Sequence, residues 1–105
     1  MEHIIDRNAQ KLVKGLILVS SWGYDQTNID FYIVTDVKGQ FATVSKIEAP
    51  EKSTGPMFGT KSPILPVRVT GSPIRRKMRG AYISLNSYAG AHPWDGTTME
   101  VSHTH

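Results

Sequence analysis

The feature that most constrains the fold is a strand–turn–strand pattern over residues 29–47. In residues 29–37, Ile29 and every second residue after it form one face of a strand, and polar side chains contribute to the other. A tight turn follows at residues 38–40, where Gly39 supplies a positive φ. Residues 41–47 then form a second strand. The pattern predicts an antiparallel hairpin, so the domain must be built around a β-sheet.

Further strands are predicted at residues 16–22, 64–70 and 81–87. Pro66 places the strand at 64–70 on a sheet edge, because proline cannot donate a ladder hydrogen bond. Residues 74–79 fit a strand or a loop, and residues 88–96 are expected to be irregular. These elements predict a mainly β fold, either a small SH3-like five-stranded barrel or a curled antiparallel sheet. The main alternative is a partly open α+β roll.

The 105 residues are expected to form a single domain, residues 1–105. Its N-terminal segment, residues 1–14, includes a short predicted helix that ends before Gly15. Residues 48–63 contain three prolines and two glycines and have no periodic pattern, which predicts a long exposed loop. Residues 97–105 are polar and are predicted to form a flexible tail.

The composition excludes several classes of site. The chain has no cysteine, which rules out disulfide frameworks, cysteine-based zinc sites and cysteine nucleophiles. His103 and His105 lack the spacing of a zinc site, so neither a metal nor another cofactor is predicted. No apolar run approaches the roughly 20 residues of a membrane helix, and no secretory signal is recognisable. We therefore expect a cytoplasmic protein with no membrane partner, either a monomer or a small homo-oligomer.

Two segments combine aromatic side chains with small polar ones, at residues 21–32 and 86–96. If they meet in space, they form a small-ligand or base-stacking site; otherwise the aromatic rings fill the core. Core filling is the safer interpretation of Trp22. The candidate ligand or interface residues are Tyr24, Asp25, Gln26, Asn28, Asp30, Asn86, Tyr88, Trp94 and Asp95. An enzyme is the third hypothesis. The acidic residues and His92 could supply acid–base groups, but they match no catalytic motif, so this hypothesis ranks below the other two.

Charge is distributed unevenly along the chain. Residues 52–93 contain seven lysines and arginines and no acidic residue, although the net charge is only +3. Arginine side chains suit phosphate contacts and nearby aromatic rings suit base stacking. The candidate nucleic-acid-binding residues are Arg75, Arg76, Lys77 and Arg79. A positively charged surface that only contacts solvent explains the same run of basic residues about as well.

The run SWGYDQTNIDFY at residues 21–32 resembles a signature of small uncharacterised proteins of bacteriophages and mobile elements. Similar elements of that family match here at residues 15–19, 75–77, 86–88 and 94–96. The resemblance implies a phage or plasmid setting in a bacterial host, and it carries no established activity or catalytic residues. The leading hypothesis is therefore a phage-type protein that binds nucleic acid. The alternative is an inhibitor that binds a host defence protein or a nucleotide signal through an aromatic-polar pocket.

Overall fold

The computed structural model describes residues 12–23 and 26–102, and all regular structure in these ranges is β-strand. The strands are β1 (Ile17–Trp22), β2 (Asn28–Lys38), β3 (Phe41–Ile47), β4 (Glu51–Gly55), β5 (Phe58–Lys61), β6 (Ile74–Arg79), β7 (Tyr82–Asn86), β8 (Ala89–Pro93) and β9 (Met99–Ser102).

Six of these strands close into an antiparallel barrel in the order β1-β2-β3-β6-β7-β8. Strand β8 completes the barrel by pairing with β1, where Leu18 lies opposite Pro93 and Val19 opposite His92. Closure leaves no free edge in the barrel. The fold class predicted from the sequence, a small mainly β barrel, is confirmed, with six strands in the place of five.

The long strand β2 is buried on both faces. Tyr32 and Val34 point into the barrel, where Val34 packs in a core with Leu18, Val44 and Ile83. A bulge between Val34 and Asp36 changes the register with β3. The barrel interior therefore receives the face of β2 that alternates with the predicted apolar face of Ile29 and Phe31.

The opposite face of β2 belongs to a second core, outside the barrel. Ile29 and Phe31 pack there with Val19, Ile47 and Val101. The ring of Phe31 meets the ring of Trp94 edge-on, with 5.6 Å between the centroids. The sheet β4-β5-β9 covers this side, since Val101 belongs to β9.

Three hydrogen bonds attach this small sheet to the barrel. The Thr27 amide donates to Ser102 Oγ over 3.0 Å, and the Ser102 amide donates back to the Thr27 carbonyl over 3.1 Å. Lys61 Nζ on β5 donates to the carbonyl oxygen of Ile29 over 2.7 Å. The sheet is thereby fixed at the N-terminal end of β2.

Several local predictions were wrong. The loop predicted over residues 48–63 contains the hairpin of β4 and β5. The irregular segment predicted over 88–96 contains β8, which closes the barrel, and the predicted tail contains β9. Strands β5, β8 and β9 each pair with a strand that is distant in the sequence, and β4 is held by its hairpin with β5, so none of them depends on an apolar period.

Residues 64–70, predicted as an edge strand, form only one isolated bridge, between Val69 and Ile47. Most of the predicted N-terminal helix lies outside the described residues, and residues 12–16 are not helical. The part of the chain that the structure describes contains no helix long and apolar enough to cross a membrane.

The second core gives a stability prediction. Phe31→Ala removes a fully buried ring and should lower the free energy of unfolding by about 3–5 kcal/mol in urea denaturation. The matched control is Phe58→Ala, since Phe58 is 59% exposed, and it should change stability by no more than about 0.5 kcal/mol. Equal losses in the two variants would contradict the assignment of Phe31 to a core.

Candidate functional site

Strand β6 presents a row of positive charge on the outside of the barrel. Its burial alternates: Ile74 and Met78 pack against the barrel core, whereas Arg75, Lys77 and Arg79 are exposed. Side chains two residues apart on a strand are about 6.6 Å apart along it. The three charges are therefore spaced evenly along one outer surface.

Exposed aromatic rings flank this row on the neighbouring strands. On β3, Phe41 lies opposite Lys77, and the Arg75 guanidinium lies 4.3 Å from the centroid of the Phe41 ring. On β7, Tyr82 lies opposite Arg79. We name the surface formed by Arg75, Lys77, Arg79, Phe41 and Tyr82 the basic face.

Gly90 makes room for one of these rings. A Cβ atom at Gly90 would collide with the hydroxyl and the ring of Tyr82, so the Tyr82 side chain lies across the backbone of β8. The ring remains 42% exposed. The missing side chain at Gly90 thus allows Tyr82 to lie along the barrel surface beside Arg79.

The basic face carries positive charge that acidic side chains do not neutralise. Among residues 12–23 and 26–102, none of Arg75, Lys77 and Arg79 forms an ion pair. Lys38 on β2 adds a further exposed charge across the sheet from this row, because it lies opposite Phe41, which in turn lies opposite Lys77. The surface therefore attracts anions over a range set by the ionic strength.

Arg76, the fourth basic residue predicted from the sequence, has a different role. Its guanidinium donates to the carbonyl oxygen of Arg75 over 2.9 Å and to that of Leu85 over 3.2 Å. The contact spans β6 and β7 beyond their paired residues. Arg76 therefore holds the barrel wall together and does not belong to the basic face.

The two aromatic-polar segments do meet, at one end of the barrel. A pocket of about 100 Å³ opens there, and we name it the mouth pocket. It is lined by Ser20, Trp22, Asp30, Tyr32, Leu85, Asn86, Tyr88 and Ala89. The Trp22 and Tyr88 rings lie 6.2 Å apart between centroids and are tilted by 57°. Residues predicted from separate segments thus share one site.

Strand register explains why polar groups collect at this end. Ser20 lies opposite Asp30 and Trp22 opposite Asn28, on the same inward face as Leu18. The indole Nε1 of Trp22 donates to Asp30 Oδ2 over 2.9 Å, and Lys46 Nζ lies 3.2 Å from Asp30 Oδ1. The carboxylate is thus held by partners on β1 and β3, which orients Trp22 at the pocket rim.

Ser20 and Tyr32 are the deeper polar groups of the mouth pocket. Ser20 is fully buried, and its Oγ has no hydrogen-bond partner among the described residues. Burial raises the pKa of the Tyr32 phenol above its usual value of 10.0, and the Asp30 carboxylate raises it further. At neutral pH the Tyr32 hydroxyl is therefore protonated and able to donate a hydrogen bond.

Other predicted site residues lie elsewhere. Trp94 packs on Phe31 in the second core, and its indole donates to the Thr97 carbonyl over 2.6 Å. Asp95 accepts hydrogen bonds from the Thr97 hydroxyl and amide, which lower the pKa of its carboxyl group. Both residues belong to a turn rather than to the mouth pocket.

The middle of the motif at residues 21–32 divides in a similar way. Gln26 donates to Asn28 Oδ1 over 3.3 Å, and Asn28 lines a small pocket of about 80 Å³ on the other side of Trp22 and Asp30. The predicted residues Tyr24 and Asp25 lie outside the described residues. Within the described ranges, no cluster of three acidic or histidine side chains suits a metal ion.

Sequence reasoning missed Phe41, Tyr82 and Ser20 as site residues. A signal existed for Ser20, since it follows Leu16 and Leu18 at the inward positions of a strand and is the first polar residue there. Phe41 and Tyr82 gave no such signal. Their relevance depends on the pairing of β3 and β7 with β6.

Comparison with known proteins adds no assignment, because no family model, curated protein or solved structure matches this chain.

The raised pKa of Tyr32 gives a prediction for alkaline pH. A phenol whose pKa is higher in the folded state stabilises that state below pH 10.0, and the contribution is lost as pH rises through the folded-state pKa. Tyr32→Phe should therefore flatten the decline in unfolding free energy above pH 10.0. Urea denaturation across this range measures the effect, and an unchanged slope would contradict it.

Proposed function

We propose that this chain is a small phage- or mobile-element-type protein that binds single-stranded nucleic acid through the basic face. The observation that carries the proposal is the exposed row of Arg75, Lys77 and Arg79 with an aromatic ring on each neighbouring strand. The mobile-element setting rests on the sequence resemblance alone.

The arrangement favours nucleic acid over a simple anion. Positive side chains neutralise successive phosphates, and exposed rings offer surfaces on which bases stack. The Arg75 guanidinium already lies over Phe41, so its planar charge is oriented before a ligand arrives. Because the two side chains are already in contact, less side-chain entropy is lost when a ligand binds.

The same geometry favours a single strand over a duplex. The basic face lies on three neighbouring strands of a closed barrel, β3, β6 and β7. Phe41 and Tyr82 stack with bases only when those bases are unpaired. We therefore expect an oligonucleotide of unpaired bases to bind more tightly than the corresponding duplex.

Charge reversal on the basic face tests the proposal. Lys77→Glu with Arg79→Glu should weaken binding of a fluorescein-labelled dT oligonucleotide, measured by anisotropy over a salt series. Loss of two phosphate contacts should lower the slope of log affinity against log salt by about 1.4, at about 0.7 per contact for a single strand.

The matched control is Lys14→Glu with Lys52→Glu, which changes the net charge equally at exposed positions away from β6. It should keep most of the affinity and the full salt slope. Equal losses in the two double variants would show attraction by net charge alone. Absence of binding by the unmodified protein at low salt would overturn the proposal.

The aromatic part of the face gives a separate prediction. Phe41→Leu keeps the charge but removes the ring under Arg75, so it should weaken dT binding by about 1–3 kcal/mol with little change in salt slope. Phe58→Leu, at an exposed position of β5, is the control and should leave the affinity unchanged. If both variants bind like the unmodified protein, stacking on Phe41 is disproved.

A further inference from the structure

The mouth pocket contains a hydrogen-bonding group that the fold does not use. Ser20 Oγ is fully buried without a partner among the described residues, although buried hydroxyls are nearly always hydrogen-bonded. Leaving such a group unpaired destabilises the folded state. Ser20 lines the mouth pocket, and its Oγ is buried in the pocket wall without accessible surface of its own.

The other walls of the pocket define the shape of such a ligand. Trp22 and Tyr88 provide aromatic surfaces at the rim, and Tyr88 is 71% exposed. Leu85 and Ala89 provide an apolar side. A flat ring with a hydrogen-bonding edge satisfies both parts, since its faces contact the apolar and aromatic side chains while its edge meets Ser20 and Tyr32.

The volume limits the ligand to one ring. Drug-sized molecules occupy pockets of roughly 300–1,000 Å³, and the mouth pocket holds about 100 Å³. A cavity of about 150 Å³ accommodates benzene. The mouth pocket is smaller than that cavity, so it encloses only part of a six-membered ring, whose outer part lies at the aromatic rim, and it leaves the second ring of a purine outside.

The pocket adjoins the strand that carries the basic face. Arg76, which lies between Arg75 and Lys77 on β6, donates to the carbonyl of Leu85, and Leu85 lines the pocket. This hydrogen bond joins the strand that carries the basic face to the strand that lines the pocket. The negative charge of Asp30, which lines the pocket, is balanced in part by its ion pair with Lys46.

We propose that the mouth pocket binds one pyrimidine base, with the base edge hydrogen-bonded to Ser20 and Tyr32 and the ring against Trp22 and Tyr88. This proposal rests on the proposed function for its ligand class and adds a preference for pyrimidines over purines. Asp30 positions Trp22 through the hydrogen bond to the indole.

An uncharged nucleoside tests the pocket independently of the basic face. The chain has two tryptophans, so the indole N–H of Trp22 is one of two such NMR signals, and Trp94→Phe identifies it. Titration with uridine or cytidine should shift the Trp22 signal saturably and leave Trp94 unmoved, because Trp94 packs on Phe31. Adenosine and ribose should cause much smaller shifts.

Two variants locate the binding. Ser20→Val should weaken pyrimidine nucleoside binding roughly tenfold, the effect of one hydrogen bond. Tyr88→Ala should weaken it as well, and its exposed position avoids damage to the fold. Lys77→Glu with Arg79→Glu should leave nucleoside binding intact, because a nucleoside has no phosphate.

Different failures affect different proposals. Nucleoside binding without oligonucleotide binding would overturn the proposed function and keep the pocket. Oligonucleotide binding without a saturable Trp22 shift, or an equal shift with ribose, would overturn the pocket and keep the basic face. Equal affinity for adenosine and uridine would overturn the pyrimidine preference.

Discussion

The structure depends on strand β2 as the shared wall of two apolar cores. Its inward face contributes Val34 to the barrel interior, and its outward face contributes Phe31 to the core beneath β9. A strand buried on both faces cannot shift register by one residue without exchanging the two sets of side chains. The position of β2 therefore determines where its N-terminal end lies, and with it the position of Asp30.

Asp30 connects this packing to the mouth pocket. It follows Ile29, whose carbonyl oxygen accepts a hydrogen bond from Lys61 on the second sheet. The Asp30 carboxylate accepts a hydrogen bond from the Trp22 indole and forms an ion pair with Lys46. Contacts from β1, β3 and β5 thus meet at one end of β2, and the rim of the pocket is held by the same strand that joins the two cores.

The sequence predicts those elements whose pattern is local. The hairpin of β2 and β3 follows from alternation around Gly39, which has a φ of 60° in the turn. Strand β4 gave no such pattern, because nearly all of its side chains are exposed. It is held by pairing with β5, whose other edge pairs with β9 some forty residues further along the chain. Propensity and period carry no information about that contact.

The candidate site also has a part that the local sequence pattern predicts and a part that depends on distant strand pairing. The exposure of Arg75 and the structural role of Arg76 follow from the alternation of a strand, once residues 74–79 are known to form one. The joining of Trp22 with Tyr88 depends on barrel closure through β8, in a segment expected to be irregular.

Barrel closure also separates two tryptophans that the sequence treats alike. Trp22 lies on the inward face of β1 and reaches the mouth pocket, whereas Trp94 follows β8 and packs on the outward face of β2. Both segments combine aromatic and polar side chains, and the face of the barrel decides which tryptophan lines the pocket and which packs in the core. Because that face is set by the register of β1 with β2 and β8, the pocket is a consequence of topology rather than of either motif alone.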